Sequence, residues 1–211
     1  MNVLRLTIFL VFVCITTEAQ NVISRYSSKQ LSVTLTIDTS KCSSTYNSYV
    51  SKIDITSKLT GKHLTLPNFK DSNSVIPCSD DIMKSGYFQI ADANFDGYDD
   101  ILLLQFLPAA PNLPYFWWIY NPASKSFVED TALENITSPQ FDSVKHQITS
   151  FWRASCCDHG LDTYSYSNGK AILIHQEEDI ADPNGTAPDT LIERKVIAGK
   201  LTEVSRKAQK Q

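Results

Sequence analysis

The chain has 211 residues, of which 42% are hydrophobic and 20% are charged, and its formal net charge is −4. These values are ordinary for a globular protein and exclude a disordered, charge-rich chain. Lysine and arginine are scattered along the sequence, and the one basic run is Arg206 to Lys210. Because nucleic-acid binding needs a basic patch or stripe, we expect no nucleic-acid partner.

The N-terminal segment predicts export. Met1 to Arg5 carries one positive charge, Leu6 to Ile15 is a short apolar run, and small residues precede a cleavage point after Ala19. This pattern is typical of a secretory signal peptide, whereas a membrane span needs about 20 apolar residues. We therefore expect a signal peptide over residues 1–19, one calcium-binding β domain over residues 20–211, no membrane span, and a periplasmic or extracellular location.

Five cysteines are present, and four of them follow the predicted leader. Cys14 lies inside the leader, where the bulky residue before it disfavours lipoprotein processing. In an exported protein the other four are expected to pair, and the sequence alone allows three pairings. We favour a bond between Cys42 and Cys78. The adjacent Cys156 and Cys157 then form a strained vicinal disulfide, stay reduced, or bridge to other partners.

A hydrophobic period of two residues predominates along the chain and predicts strands. Leu31 to Ile37 alternates strictly between apolar and polar residues, and Val50 to Ile55 and His63 to Leu66 are shorter candidates. Gly86 to Ala91 and Ile101 to Phe106 flank an acidic loop and predict a hairpin. The second strand of this hairpin is apolar enough to be buried on both faces.

The second half of the chain predicts further strands and hairpins. Tyr115 to Tyr120 follows a proline-rich breaker and predicts a strand, and Phe141 to Phe151 predicts a hairpin. Tyr164 to Ile174 and Leu191 to Val204 predict two more hairpins, the first turning at an Asn-Gly pair. No long stretch has helical spacing. Many short strands joined by turns predict an all-β, mainly antiparallel fold in a compact propeller-like or sandwich arrangement.

The clearest chemical signal is the acidic loop, residues 92–100, with the sequence Asp-Ala-Asn-Phe-Asp-Gly-Tyr-Asp-Asp. Calcium takes about six to eight oxygen ligands, and carboxylates and amides spaced by two along a turning backbone aim their oxygens at one centre. Gly97 provides the conformational freedom that the sharp turn needs. We predict three side-chain ligands, one backbone carbonyl and a closing carboxylate that acts directly or through water. These calcium ligands are Asp92, Asn94, Asp96, Tyr98 and Asp100.

Two other interpretations of the acidic loop are weaker. An EF-hand begins in the same way but needs a glutamate at loop position twelve and a following helix, whereas position twelve here is Leu103, in a predicted strand. An ordinary turn without an ion also uses Asp, Asn and Gly. Four acidic residues within nine positions favour calcium, because without a cation their charges repel one another.

The loop pattern, followed by Ile-Leu-Leu-Leu, resembles the FG-GAP and VCBS type calcium loop of β-propeller blades. A longer set of segments resembles bacterial exported calcium-binding proteins related to a type IV secretion immunity protein that inhibits lysozyme-like effectors. Besides the loop, this set contains Tyr115 to Trp118, Tyr120 to Pro122, Phe127 and Ile148 to Arg153. The resemblance covers about residues 86–174. It implies a propeller-like or sandwich β domain, calcium held by the five predicted ligands, and a calcium-dependent block of a peptidoglycan hydrolase, which is the expected protein partner.

The resemblance provides no motif for the inhibitory surface. Lys84 to Tyr87 offers an ammonium, a hydroxyl and an aromatic ring, but its residue types are more typical of an ordinary strand entry. The alternative function is a calcium-stabilised adhesion or carbohydrate-binding module, in which Trp117 or Trp118 stacks on a sugar. Core packing is the more usual role of such a run, because alternate strand residues face opposite sides.

Catalytic and transition-metal sites find less support in the sequence. The carboxylates that most resemble a glycosidase pair lie in the acidic loop, where calcium would occupy them, so we do not expect an enzyme. Cys156 to His159 contains thiol and imidazole groups, but adjacent cysteines seldom match the spacing of a zinc site.

Overall fold

The computed structural model describes residues 21–40, 42, 48–70, 74–78, 86–108, 111–182, 184 and 186–209. The predicted signal peptide and two residues of the candidate inhibitory turn, Lys84 and Ser85, lie outside these ranges. In the described part of the chain, no helix is long and apolar enough to cross a membrane.

Three antiparallel sheets follow one another along the sequence. The first consists of β1 (Asn21–Ser27), β2 (Leu31–Asp38), β3 (Ser48–Ser57), β4 (His63–Leu64) and β5 (Val75–Ile76). The second consists of β6 (Phe88–Ala91), β7 (Asp100–Leu104), β8 (Tyr115–Asn121) and β9 (Ser126–Glu129). The third consists of β10 (Pro139–Asp142), β11 (Gln147–Arg153), β12 (His159–Ser167), β13 (Lys170–Ile180), β14 (Thr190–Ile197) and β15 (Lys200–Ala208).

Each sheet is built mainly from neighbouring strands in sequence order. In the first sheet β4 and β5 both pair with β3, and in the other two sheets every strand pairs with the next one along the chain. A short 3-10 helix, Leu133–Asn135, precedes the third sheet. The prediction of an all-β, mainly antiparallel fold is confirmed, and of the two predicted arrangements the sandwich-like one fits the three sheets.

The core lies around the second sheet. Four consecutive residues of β7, Ile101 to Leu104, are fully buried, which confirms the prediction of a strand covered on both faces. On β2 the apolar side chains from Leu31 to Ile37 alternate inward. The third sheet contributes less to the core, with Ile148 and Ile192 as its fully buried aliphatic side chains.

Contacts from the second sheet join the three sheets. The Trp118 indole donates a hydrogen bond from Nε1 to the Pro67 carbonyl at 2.9 Å. Pro67 lies just after β4 of the first sheet. The Trp117 ring packs edge-on against Phe141 of the third sheet, with ring centroids 5.9 Å apart. Both indoles are therefore structural parts of the core.

The disulfide between Cys42 and Cys78 is present, with the two Cα atoms 5.7 Å apart, and this pairing is confirmed. It closes the first sheet across a sequence separation of 36 residues. Cys156 and Cys157 are free and exposed, so of the three predicted outcomes for this pair the structure contains the reduced one.

Candidate functional site

The acidic loop connects β6 to β7 at one end of the central sheet. Ala91 and Asp100 are paired in register and close the base of the loop. Because β7 follows directly, Leu103 lies in a strand, and the strand-flanked type of loop that the sequence predicts is confirmed. An EF-hand is excluded here, since no helix follows the loop.

The side chains of the first three predicted ligands turn back into the loop. Both carboxylate oxygens of Asp92 accept backbone N–H groups, Oδ1 from Asp96 and Oδ2 from Gly97, each at 2.9 Å. The amide oxygen of Asn94 accepts the Asp96 N–H at 3.1 Å, and Asp96 Oδ1 accepts the Tyr98 N–H at 2.9 Å. These bonds wind the backbone around the polar side chains.

Two residues of the loop have a left-handed backbone. Gly97 has φ of 89° and Phe95 has φ of 62°. Glycine adopts this conformation without strain, which explains its place at the sharpest part of the turn. At Phe95 the cost is offset by packing: the ring stacks on His146, at a centroid distance of 5.3 Å and an interplanar angle of 3°, and packs edge-on against Phe141.

Asp100 is fully buried, and its carboxylate binds backbone N–H groups of the loop and of β8. Its Oδ2 accepts the N–H groups of Ala93 at 2.8 Å and Asn94 at 3.3 Å, and its Oδ1 accepts the N–H of Tyr120 on β8 at 2.8 Å. Burial raises the pKa of this carboxyl to about 7, against the lowering effect of these three backbone hydrogen bonds. A nearby cation would favour the ionised form.

The first sheet reaches the loop through the turn between β1 and β2. The side-chain amide of Gln30 donates from Nε2 to the Gly97 carbonyl at 2.7 Å, while its Oε1 accepts the Asp99 N–H at 3.1 Å. The hydroxyl of Ser28 donates to the Asp99 carboxylate. We call Gln30 and Ser28 the loop clamp. Asp99 was not a predicted ligand, and this contact explains its place in the loop.

The acidic loop therefore contacts all three sheets. It belongs to the second sheet, the loop clamp ties it to the first, and the ring of Phe95 packs on Phe141 and the following turn of the third. A rigid loop at this position fixes the three sheets relative to one another. The loop clamp was missed at the sequence level, because Gln30 is 67 residues from Gly97 and no local pattern marks it.

An open cavity of about 320 Å³ lies beside the loop and has an acidic lining. Asn94 and Asp96 form its loop side, and Tyr120, Glu129 and Asp130 form part of the opposite side. The pKa of the Tyr166 phenol is raised by burial and by the nearby charges of Asp130, Asp100 and Asp96. Negative charge is thus concentrated at this end of the molecule.

The oxygens present fit a hard divalent cation. In the described ranges no three His, Cys, Asp or Glu side chains lie close enough together to hold a metal by themselves. An ion held at the loop would draw on the Asn94 amide oxygen and on backbone carbonyls besides the carboxylates, and calcium uses such a mixture of oxygen ligands. Asp92 and Asn94 both accept the Asp96 N–H, and the Asn94 amide donates from Nδ2 to Asp96 Oδ2 at 3.0 Å, so the three side chains lie together in the loop.

The sugar-stacking role considered for the tryptophans is wrong. Trp117 and Trp118 are 0% and 1% exposed, and their indoles pack against the third and the first sheet. Aromatic residues on a strand between two packed layers bury their large apolar area first. A carbohydrate-binding face, if the protein has one, does not use these two rings.

Comparison with known proteins gives a structural neighbour but no family match. No protein-family model matches the chain, and no curated protein matches it. A solved structure, described as that of a Xanthomonas type IV secretion system related protein, matches with a TM-score of 0.61 and 22% sequence identity. The match covers 89% of this chain and 98% of the neighbour. At this identity the likeness establishes a shared fold, and this chain is similar in fold to a type IV secretion related protein.

Proposed function

We propose that this protein is an exported calcium-binding protein that inhibits a lysozyme-like peptidoglycan hydrolase. The observation that carries the calcium part is the acidic loop, in which the oxygens of Asp92, Asn94 and Asp96 are turned inward by hydrogen bonds to the loop's own backbone. Asp92, Asn94 and Asp96 would hold the ion through side chains, Tyr98 through its carbonyl, and Asp100 directly or through water.

Bound calcium would neutralise the charge of this end of the molecule. Two side chains connect the acidic loop to the neighbouring strands and would transmit this effect. Gln30 holds the Gly97 carbonyl and the Asp99 N–H, and Asp100 holds the backbone of β8 through Tyr120. Because the loop contacts all three sheets, fixing it gives the adjoining surface one conformation. A preordered surface loses less conformational entropy when it binds a partner protein.

The hydrolase part of the proposal has two supports. The sequence from Gly86 to Ile174 resembles exported calcium-binding proteins related to an immunity protein, and the structural neighbour is described as type IV secretion related. An inhibitor of such an enzyme has to block a cleft in which a carboxylic acid protonates the glycosidic oxygen. This requires a rigid protein surface, which a calcium-fixed junction of three sheets provides.

The test is inhibition of lysozyme-like peptidoglycan hydrolases, measured by the clearing of a cell-wall suspension, with calcium or with a chelator. We expect the mature chain to inhibit in calcium and to lose inhibition in the chelator and in Asp96→Ala. Asp182→Ala is the matched control, since Asp182 is also an aspartate whose carboxylate accepts backbone N–H groups in a turn, from Thr186 and Ala187. This control should inhibit like the wild type.

Other outcomes separate the two parts of the proposal. Calcium binding without inhibition of any enzyme tested would overturn the hydrolase part and leave a calcium-stabilised module, whose adhesion or carbohydrate surface would have to lie away from Trp117 and Trp118. Inhibition that persists in the chelator and in Asp96→Ala would overturn the dependence on calcium.

A further inference from the structure

The turn between β11 and β12 carries two neighbouring thiols. Cys156 and Cys157 are both exposed and unbonded, whereas Cys42 and Cys78 are joined in the first sheet. The pair is thus excluded from the structural disulfide, and both sulfurs are open to solvent. Exposed thiols in an oxidising compartment react with disulfides, so their local geometry decides the product.

Hydrogen bonds from Ser155 and Asp158 fix the turn that holds the pair. The Ala154 N–H donates to the Asp158 carbonyl at 2.9 Å, and the Ser155 hydroxyl oxygen accepts the N–H groups of Cys157 at 3.2 Å and Asp158 at 2.9 Å. The adjacent Cys156 thiol, burial and the nearby charge of Asp158 raise the pKa of the Cys157 thiol. Cys157 therefore holds its proton more firmly than an ordinary thiol, so the first attack falls to Cys156.

We propose that Cys156 and Cys157 form a two-electron thiol–disulfide exchange site whose substrate is a disulfide, RSSR. In the first step the Cys156 thiolate attacks one sulfur of RSSR, the S–S bond breaks, and RS⁻ leaves. In the second step Cys157 loses its proton and attacks the Cys156 sulfur of the mixed disulfide, and the second RS⁻ leaves. RSSR is reduced to two thiols, and the pair is oxidised to a vicinal disulfide by the loss of two hydrogens.

The spacing of the pair makes this bond suited to exchange. Neighbouring Cα atoms are about 3.8 Å apart across a trans peptide, which is below the usual range of about 4.4–6.8 Å for disulfides. The Cys42–Cys78 bond, at 5.7 Å, lies within that range. Strained, exposed disulfides are more easily reduced than structural ones, so an oxidised Cys156–Cys157 pair would pass its disulfide on.

A mainly apolar cavity of about 130 Å³, which Glu177 and Asp179 also line, adjoins the turn at His159. His159, whose Nδ1 lies 3.1 Å from the Cys157 carbonyl oxygen, forms one side of it, and its ring packs on Phe151. Phe151, Leu161 and Leu191 line the cavity and remain 41%, 37% and 39% exposed. Apolar surface beside reactive thiols suits a disulfide carried by a protein, and the same chemistry is open to a small disulfide.

The test uses the full mature chain with the Cys42–Cys78 bond intact and the Cys156–Cys157 pair reduced. Glutathione disulfide is the small-molecule arm, and an oxidised thioredoxin-fold protein is the protein arm. After alkylation and peptide mass measurement, the wild-type peptide should have lost two hydrogens and both alkylation sites. In Cys157→Ser a stable mixed disulfide should accumulate on Cys156, and Cys156→Ser should react more slowly than Cys157→Ser.

Each arm has a decisive outcome. Formation of the vicinal disulfide with either oxidant supports the proposal, and the arm that reacts identifies the source of the disulfide. A stable adduct or a covalent dimer of the wild type without loss of two hydrogens, or reaction in neither arm, would overturn it. Equal adduct rates in the two serine variants would overturn the assignment of Cys156 as the attacking thiol.

Discussion

Replacing Gln30 with alanine tests whether the loop clamp holds the acidic loop in place. The change removes two hydrogen bonds, from Nε2 to the Gly97 carbonyl at 2.7 Å and from the Asp99 N–H to Oε1 at 3.1 Å. A net contribution of about 0.5–1.5 kcal/mol for each bond gives a loss of about 2 kcal/mol in the free energy of unfolding. For a domain of this size, that loss lowers Tm by about 4–8 °C.

The same change should weaken calcium binding. If about half of the lost energy served to hold the loop in its binding conformation, calcium affinity falls by about fivefold, since about 1.4 kcal/mol corresponds to tenfold. Gln176→Ala is the matched control, because its amide also makes two side-chain hydrogen bonds, to Asp162 and from Arg194, on the third sheet. Thermal melting and calorimetric calcium titration would be compared for both variants.

We expect both variants to lose stability and Gln30→Ala alone to lose calcium affinity. An unchanged affinity in Gln30→Ala, or an equal loss in Gln176→Ala, would refute the reasoning that the first sheet positions the loop.

Three further changes have expected effects on stability that thermal melting would measure. Gly97→Ala should cost about 1–2 kcal/mol through backbone strain alone, since φ is 89° and a Cβ there meets no atom within 4 Å, so a loss below about 0.5 kcal/mol would contradict the left-handed turn. Gly160→Ala should cost about 1–3 kcal/mol or more, because a Cβ would lie 2.5 Å from the Glu177 carbonyl oxygen and against the Trp152 ring; a neutral result would contradict this packing. The double change of Cys42 and Cys78 to serine should cost about 4 kcal/mol from loop-closure entropy, and a stability unchanged by reduction would contradict the bond.

Local patterns predicted the strands that face the core. Alternation over Leu31 to Ile37 and the apolar run after the acidic loop correspond to β2 and β7. A strand buried on one face has alternating apolar and polar residues, and a strand buried on both faces has a continuous apolar run. The Asn-Gly turn predicted the hairpin of β12 and β13 for the same local reason, since Asn168 and Gly169 both have positive φ.

Strands that are stabilised by partners distant in sequence have no regular apolar pattern and were predicted poorly. The predicted hairpin over Tyr164 to Ile174 is longer in the structure, with strands over His159–Ser167 and Lys170–Ile180. Its extension contains Glu178, which pairs with Arg194 on the next strand, so charge pairing replaces apolar alternation there. The strands β1, β5 and β9 were not predicted: β1 is an edge strand with mostly exposed residues, and β5 has only two residues.

In the candidate site, the local features of the loop were predicted and its long-range contacts were not. The spacing of Asp, Asn and Gly in the acidic loop predicted a strand-flanked turn, because that spacing determines the local backbone. It did not predict that Asp100 is fully buried beneath β8, or that Gln30 and Phe95 connect the loop to the other two sheets. Those contacts depend on how the sheets pack, which no local pattern encodes.

Calorimetric titration of the mature chain with calcium tests the central claim most directly, with Asp96→Ala beside Asp182→Ala as the control. We expect one calcium ion to bind to the wild type and to the control and to raise their Tm, and we expect neither effect in Asp96→Ala. Absence of binding to the wild type, or binding that Asp96→Ala leaves unchanged, would contradict the account and make the acidic loop an ordinary turn.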